Sequence, residues 1–182
     1  MIKGSRRTVA AAAAALGLGI GSAVWASSAS AAPAAPSAIP PVCTSADLAV
    51  WVNYDAVSGA AGTWYYPLEF TNVTSHTCRT WGYPGVSAIG ANGKQLGSPA
   101  ARNQLYPAAW VNIPAGGTAH ALFAYGNAEV TTSGCQPATA SVIKVFPPDS
   151  FTADHAFFDL SACTVPGHVY LRVSVIRPGT NI

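Results

Sequence analysis

The residues best suited to acid–base chemistry are concentrated in the last third of the chain. This stretch contains Asp149, Asp154, His155 and Asp159. A histidine beside a carboxylate can activate a serine hydroxyl, so the stretch could serve a small secreted hydrolase that uses His155 with an Asp and a Ser, or it could hold a cation. It lacks the alternating oxygen ligands of a calcium loop. We therefore interpret it as a solvated loop between strands and keep the hydrolase as an alternative function.

No other segment has a strong catalytic or metal-binding pattern. Gly85–Gly90 nearly matches a nucleophile elbow around Ser87, but its second glycine is one residue too far and the segment leads into a hairpin, not into a helix. The histidines lack the short spacing of metal ligands, and we interpret them as surface or turn residues. They are His76, His120, His155 and His168. The sequence therefore predicts no catalytic residue, no metal site and no cofactor.

Tryptophan and tyrosine side chains are numerous and are better candidates for ligand binding. Exposed aromatic rings bury a large area at a small entropy cost, which suits sugar rings and protein partners. Trp51 and Trp64 could instead fill a core, as a Trp does in many β-sandwiches. We predict that Trp81, Tyr83 and Tyr106 contribute to a binding surface for an unknown protein or glycan ligand.

Residues 1–31 have the features of a secretory signal peptide. Lys3, Arg6 and Arg7 form a basic start. An apolar run rich in Ala follows, and Ala29–Ala31 fits the small-x-small pattern of a cleavage site. The apolar run is too short and too weakly hydrophobic to favour a permanent membrane anchor. We therefore predict a protein that is secreted or associated with the cell envelope, with no membrane span in the mature chain.

Removal of this leader changes the charge balance of the chain. The full sequence has nine Lys and Arg against seven Asp and Glu, and three of the basic residues lie in the leader. The mature chain is therefore slightly acidic and its basic residues are scattered, so we predict no nucleic-acid partner. After an Ala/Pro-rich linker at 32–42, whose prolines favour extended backbone, we predict a single domain at 43–177 and a short tail at 178–182.

Four cysteines follow the leader, and they are Cys43, Cys78, Cys135 and Cys163. An even number of cysteines in an exported chain indicates two disulfides, for which three connectivities are possible. We favour the sequential pairing of Cys43 with Cys78 and of Cys135 with Cys163. A zinc site is the alternative, but no two of the cysteines have the short spacing of zinc ligands.

The elements that would position these residues are short strands. Large apolar side chains occupy every second position of Thr63–Asn72, from Trp64 to Phe70. This period of two is typical of a strand with one buried face. Pro67 lacks a backbone donor, so we expect it at a sheet edge or at a bulge. Asn92–Gly93 predicts a tight hairpin, because both residues tolerate positive φ.

The remaining apolar runs predict further strands. We expect 110–113 and 118–125 to pair as a second hairpin across a four-residue loop. Shorter runs at 48–54 and 141–146, and the regular alternation at 169–175, complete seven or eight predicted strands. No segment after the leader has a helical period. Only a sandwich or a small barrel closes such a set of strands around one core.

Several short segments form a recognisable pattern within these strands. They are Ala61–Thr63, Leu68–Asn72, Cys78, Gly82–Gly85 and Gly116–Ala119. In this pattern the chain resembles the actinobacterial secreted domain-of-unknown-function family 4232, from Cys43 to about Arg177. The resemblance implies an exported immunoglobulin-like β-sandwich that is often tethered to the envelope, and it implies no catalytic residue. Many relatives carry a Cys just after the apolar run; this chain does not, so we expect release or loose wall association.

These features together predict an all-β fold, namely an immunoglobulin-like antiparallel β-sandwich of about seven or eight strands with two disulfides. We expect a non-catalytic binding or interaction module of the cell envelope or the extracellular space. Two alternatives stay open: the hydrolase around His155, and a purely structural cell-wall component. Clustered exposure of Trp81, Tyr83 and Tyr106 would favour recognition, whereas their burial would favour a scaffold.

Overall fold

A computed structural model describes residues 38–127 and 133–180 of the chain. The predicted signal peptide (1–31), most of the predicted linker and the last two residues of the predicted tail lie outside the described residues. Within the described ranges the chain forms strands and turns, with a single 3-10 turn at Ser45–Asp47. No helix in this part of the chain is long and apolar enough to cross a membrane. The predicted all-β class is confirmed.

Thirteen strands follow one another along the described residues, and several of them are only two or three residues long. They are β1 (Leu48–Val52), β2 (Ser58–Ala60), β3 (Thr63–Asn72), β4 (Cys78–Trp81), β5 (Gly85–Gly90), β6 (Gln95–Leu96), β7 (Ala101–Arg102), β8 (Trp110–Ile113), β9 (Thr118–Gly126), β10 (Pro137–Phe146), β11 (Asp154–Cys163), β12 (Leu171–Val173) and β13 (Arg177–Pro178).

The strands form three sheets. The large sheet has seven strands, in the order β1-β3-β9-β12-β7, with β2 added to β3 and β13 added to β9. The four-stranded sheet has the order β11-β10-β5-β6, and the small sheet consists of β4 and β8. Every strand pair is antiparallel except β12 with β7. Most of the topology is therefore that of an antiparallel sandwich.

Strand β3 lies inside the large sheet, between β1 and the central strand β9. Its register with β9 places Leu68 opposite Ala121 and Phe70 opposite Ala119. All four side chains are fully buried. A large side chain opposite a small one leaves room for the facing layer to interdigitate. The predicted alternation in Thr63–Asn72 thus places one face of β3 in the core.

The apolar core lies between the large sheet and the four-stranded sheet. Phe158 of β11 meets Tyr66 and Phe123 of the large sheet edge-on, with ring centroids 4.9 and 5.4 Å apart. Edge-to-face contacts at these distances are favourable. Aliphatic side chains from both sheets fill the rest of the core: Leu68, Val86, Ile143, Val145, Leu160 and Leu171. Two layers packed face to face in this way form the predicted β-sandwich.

Both predicted disulfides are present. Cys43 is bonded to Cys78, which ties the segment before β1 to the first residue of β4. Cys135 is bonded to Cys163, which ties the segment before β10 to the last residue of β11. The sequential connectivity is confirmed, and the zinc alternative is excluded because the four sulfurs are used in these bonds.

The predicted hairpin of β8 with β9 is wrong. Strand β8 pairs with β4 in the small sheet, whereas β9 pairs with β3 in the large sheet. The chain changes sheets at the turn 114–117, where the Gly117 N–H donates to the carbonyl of Pro114. The buried Asn72 side chain donates to the carbonyl of Ile113 over 2.9 Å and holds the end of β8 beside β3. A side-chain hydrogen bond therefore replaces the ladder that a hairpin would have.

Two predictions near the end of the chain also need correction. The stretch that we interpreted as a solvated loop is largely strand β11, in which Ala156, Phe158, Leu160 and Ala162 face inward. Their alternation with His155, Asp159 and Ser161 could have been recognised in the sequence, although the exposed Phe157 interrupts the polar face. The predicted strand at 169–175 is shorter than expected, since β12 ends at Val173 and the ladder resumes only at β13.

Two local predictions concern backbone geometry. The Asn92–Gly93 hairpin is confirmed, because β5 and β6 pair on either side of it. Gly93 has φ of 74°, whereas Asn92 does not have the positive φ that the prediction assumed for both residues. Pro67 lies inside the large sheet and is not at an edge. It occupies the gap between β1 and β2, both of which pair with the same side of β3, and its carbonyl accepts from the Asn53 N–H over 2.9 Å. The gap tolerates the missing N–H donor.

Candidate ligand-binding sites

The small sheet exposes two tryptophans side by side. Its register places Trp81 of β4 opposite Trp110 of β8, and Arg79 opposite Asn112. Residues on alternate positions of both strands are buried, so these four side chains share the outward face. The two indoles are 47% and 51% exposed. We call this surface, formed by Arg79, Trp81, Trp110 and Asn112, the indole platform.

Arg79 gives the indole platform a polar group. Its guanidinium carbon lies 4.0 Å from the ring centroid of Trp110, which is a close cation–π contact. The Nε–H of Arg79 is buried and has no hydrogen-bond partner within the described residues. The platform therefore combines two half-exposed indoles with a guanidinium that lies over one face of Trp110 and with the amide of Asn112. Such a combination suits a ligand with both an apolar face and hydroxyl groups.

The segment before β1 holds the platform in place. Val42 forms a parallel bridge with Arg79 on the side of β4 away from β8. The Arg79 N–H donates to the carbonyl of Pro41, and the Cys43 N–H donates to the carbonyl of Arg79, each over 2.8 Å. The Cys43–Cys78 disulfide lies directly beside these bonds. Strand β4 is therefore fixed on both sides, although the small sheet has only two strands.

Tyr83, a second predicted binding residue, lies close to Trp81 but outside the platform. Both residues line a cavity of about 190 Å³ that also includes Arg102 and Asp149. The guanidinium carbon of Arg102 lies 5.3 Å from the centroid of the Tyr83 ring. Gly82 between the two aromatic residues has φ of 98°, a conformation that favours glycine and turns the chain there.

Tyr106, the third predicted residue, lines a different cavity. The predicted set of three therefore does not form one site. The second cavity measures about 290 Å³ and lies on the face of the large sheet turned away from the core. We call it the outer cavity, and it is lined by Ser58, Tyr65, Tyr106, His120, Leu122, Ser174 and Arg177.

An irregularity in the large sheet shapes the outer cavity. Val173 pairs with Phe123 and Arg177 pairs with His120, so four residue steps on one strand face three on the other. At this extra residue, the Ser174 Oγ accepts from the Leu122 N–H over 2.8 Å. A hydroxyl thus replaces a ladder carbonyl. Bulges of this kind change the direction of side chains and are frequent next to functional sites. In this sheet the bulge places Arg177 opposite His120.

His120 is buried in the wall of the outer cavity. Its Nδ1 lies 2.7 Å from the carbonyl oxygen of Gly179. Because a carbonyl can only accept, Nδ1 carries the proton, and Nε2 of the neutral ring is a free acceptor. Burial lowers the pKa of His120, and the nearby charge of Arg177 lowers it further, although the bond to Gly179 acts in the opposite direction. His120 is therefore neutral at neutral pH.

Arg177 provides the positive charge of the outer cavity. Its guanidinium carbon lies 4.0 Å from the centroid of the Tyr106 ring. In the described part of the chain no carboxylate forms an ion pair with it. The stacked guanidinium is thus held in place by an aromatic ring and keeps its charge available for a ligand.

Glu69 lies opposite His120 in the register of β3 and β9 and is completely buried. Its Oε1 accepts from the side-chain amide of Asn53 over 3.3 Å, whereas Oε2 has no hydrogen-bond partner among the described residues. Burial raises the pKa of this carboxyl, although the bond from Asn53 partly offsets the effect. A buried acid with an incomplete hydrogen-bond set is costly for the fold.

The hydrolase alternative requires a serine hydroxyl and a carboxylate within hydrogen-bond distance of His155. His155 is exposed on β11, opposite Lys144, and within the described residues its side chain has no hydrogen bond to a hydroxyl. Burial raises the pKa of the neighbouring Asp154, against a smaller lowering effect of His155. Ser87 is buried in β5. Across residues 38–127 and 133–180, no cluster of three metal-ligating side chains forms.

Sequence reasoning named Trp81 and Tyr106 as binding candidates but did not identify several of the residues that the structure places around them. The predicted set does not include Trp110, because only the pairing of β4 with β8 brings this residue to Trp81. His120 was interpreted as a surface residue and is buried. Arg177 had no distinguishing signal, because its role depends on the extra residue between β12 and β13.

Comparison with known proteins gives one match. The family described as domain of unknown function (DUF4232) matches residues 43–176. These residues include the whole of the small sheet and most of the large sheet. No curated protein and no solved structure matches the chain. The match ends one residue before Arg177, so it covers the indole platform and most of the outer cavity.

Proposed function

We propose that this chain, which belongs to the family described as domain of unknown function (DUF4232), is a non-catalytic binding module. It acts in the extracellular space or the cell envelope. It binds a glycan on the indole platform. The observation that carries the proposal is the pair Trp81 and Trp110, directly opposite one another and each about half exposed. A folded protein gains free energy by burying such rings, so two exposed together indicate a surface kept for a ligand.

The chemistry of the platform favours a sugar over other ligands. A pyranose ring has an apolar C–H face that can lie on an indole, and hydroxyl groups at its edge. Arg79 and Asn112 lie on the same face as the two rings and can bond those hydroxyls. A protein partner could also use exposed tryptophans, and this alternative is an outcome of the experiment below.

The proposed location rests on the sequence and on the disulfides. The predicted leader at 1–31 and the Ala/Pro-rich linker favour export, and two disulfides are typical of an oxidising compartment. The non-catalytic part of the proposal is supported by the exposed position of His155 on β11.

Co-sedimentation of the mature chain with isolated cell walls and with insoluble polysaccharides tests the proposal. Trp110→Ala should weaken binding at least tenfold, or about 1.4 kcal/mol. Trp64→Ala is the matched control, because Trp64 is 47% exposed on β3 and lies outside the platform; it should bind like the parent chain.

Three outcomes would count against the proposal. Binding that disappears after the wall is treated with protease would assign a protein partner instead of a glycan. Equal losses for Trp110→Ala and Trp64→Ala would remove the platform as the site. Absence of binding to every polysaccharide and wall fraction would contradict a glycan-binding role.

A further inference from the structure

The outer cavity differs in chemistry from the indole platform and shares no residue with it. It contains one cation, Arg177, which has no acidic partner within the described residues. It also contains a buried histidine whose Nδ1–H is occupied by Gly179. Tyr65 and Tyr106 add aromatic surface. The glycan proposal uses none of these groups.

The single cation favours a ligand with a single negative charge. His120 is neutral, so Arg177 provides the only full positive charge among the groups that line the cavity. A carboxylate matches one guanidinium in charge and in bidentate geometry. A doubly charged phosphate would leave one charge uncompensated in a partly enclosed site.

The neutral histidine favours a ligand that also carries a hydroxyl group. The Nε2 of His120 is an acceptor with no hydrogen-bond partner in the described part of the chain. The nitrogen opens into the cavity, where a ligand hydroxyl can donate to it. A bound ligand without a hydroxyl would shield this acceptor from solvent and leave it unpaired. The hydroxyl of Ser174 is already engaged by Leu122 and by the carbonyl of Val175.

The volume of the cavity limits the size of the ligand. At about 290 Å³ it lies at the lower end of the range for small-molecule sites, which begins at roughly 300 Å³. One ring of pyranose size fits this range better than a chain of rings. We propose that the outer cavity binds a small hydroxylated carboxylate, the chemical class of the uronic sugars, with its carboxylate on Arg177 and its ring against Tyr65 and Tyr106.

Titration of the ¹⁵N-labelled mature chain by NMR tests this assignment with three probes. Glucuronate carries both the carboxylate and the hydroxyls, glucose lacks the carboxylate, and cyclohexanecarboxylate lacks the hydroxyls. Glucuronate should shift the amide signals of Leu122 and Arg177 in a saturable way. Cyclohexanecarboxylate should bind at least tenfold more weakly, and glucose should leave these signals unchanged. Equal binding of glucose and glucuronate would overturn the proposal.

A pair of matched variants assigns the binding to Arg177. Arg177→Gln should weaken glucuronate binding at least tenfold, and Arg177→Lys should restore part of it. Arg102→Gln is the control, because Arg102 stacks on Tyr83 as Arg177 stacks on Tyr106 but lines the other cavity. Equal losses for Arg102→Gln and Arg177→Gln would contradict the assignment. Native-like spectra of both variants establish that the fold is intact; if Arg177→Gln fails this check, Tyr106→Ala replaces it with the same expected loss.

A galacturonate trimer distinguishes a free acid from one carried on a polymer. If the site serves the end of an acidic glycan, the trimer should bind at least as tightly as glucuronate, and Arg177→Gln should weaken both. If the site serves the free acid, glucuronate should bind more tightly. Binding of neither probe would overturn the assignment. The Leu122 amide keeps the readout on the outer cavity, because Leu122 lines that cavity and is not part of the indole platform.

Discussion

The indole platform and the outer cavity are built in different ways. The platform consists of residues from two adjacent strands, and its geometry follows from one register, Trp81 opposite Trp110. The outer cavity gathers side chains from Ser58 to Arg177, which come from several strands and from the loop that carries Tyr106. The first site depends on the pairing of two strands, and the second depends on the arrangement of the whole large sheet.

The two sites also differ in what they cost the fold. The platform leaves apolar rings in contact with water. The fold therefore lacks the stabilising free energy that full burial of Trp81 and Trp110 would contribute. The outer cavity takes polar groups out of water, as in His120, which is only 3% exposed. Variants that disturb the small sheet should therefore affect platform binding first, whereas variants that disturb the bulge should affect the outer cavity first.

Removal of the Cys43–Cys78 disulfide should have the largest effect and should separate the two sites. The bond closes a loop of 35 residues, for which chain entropy predicts a stabilisation of about 4 kcal/mol. Replacement of both cysteines by Ser should lower the free energy of unfolding by about this amount in a denaturant titration. At temperatures where the variant stays folded, polysaccharide binding should fall more than glucuronate binding, because the bond lies beside β4.

The other disulfide provides the comparison. Replacement of Cys135 and Cys163 by Ser opens a loop of 28 residues that carries neither the platform nor the outer cavity. A similar loss of stability, with polysaccharide binding retained, is the expected result. If both double variants lose platform binding equally, the special dependence of the small sheet on Cys43–Cys78 is wrong.

Ser174→Ala should have an intermediate effect that falls on the outer cavity. The substitution removes the acceptor of the Leu122 N–H at a completely buried position. An unsatisfied buried donor costs roughly 1–3 kcal/mol. Thermal unfolding should show this loss, and glucuronate binding should weaken because the bulge no longer fixes Arg177 beside His120.

Ser161→Ala is the control for this substitution. Ser161 is exposed on β11, and its hydroxyl has no partner within the described residues. The control should change stability by less than about 0.5 kcal/mol. Unchanged glucuronate affinity in a folded Ser174→Ala variant would show that the hydroxyl does not position the cavity.

The sequence could predict elements whose information is local. The alternation in Thr63–Asn72, the Asn92–Gly93 turn and the spacing of the cysteines gave the strands, a hairpin and the disulfide pairing. The hairpin of β8 with β9 was wrong because a four-residue connection fits a hairpin and a change of sheet equally well. The pairing of β8 with β4 and of β9 with β3 decides between the two arrangements, and neither pairing can be read from the connection itself.

The candidate sites were only partly predictable for the same reason. An exposed Trp81 beside a glycine turn can be expected from residue types, but its partner Trp110 depends on a pairing between distant segments. The outer cavity depends on one extra residue near Ser174, and no local pattern marks such an irregularity in a regular alternation. His120 therefore looked like a surface residue, although the strand places it in a buried row.

Glu69→Gln should have the smallest effect, which is a change in how the stability of the fold depends on pH. Glu69 lies opposite His120 of the outer cavity. Burial raises the pKa of Glu69 above its ordinary value of 4.5 in the folded chain. As pH rises through 4.5, the unfolded chain releases this proton while the folded chain keeps it, so stability falls until the raised pKa is passed. The amide that replaces the carboxyl in the variant does not titrate, and its oxygen can still accept from Asn53.

The melting temperature of Glu69→Gln should therefore decrease less than that of the parent chain between about pH 4 and pH 7. His120, whose pKa is lowered, contributes the opposite slope below about pH 6.5, but it is common to both proteins and cancels in the comparison. Asp159→Asn is the control, because Asp159 is exposed on β11. Its melting temperature should decrease between about pH 4 and pH 7 by as much as that of the parent chain. Identical pH profiles for parent and Glu69→Gln would mean that the carboxyl is ionised in the fold, and its free Oε2 would then require a donor from a ligand or solvent.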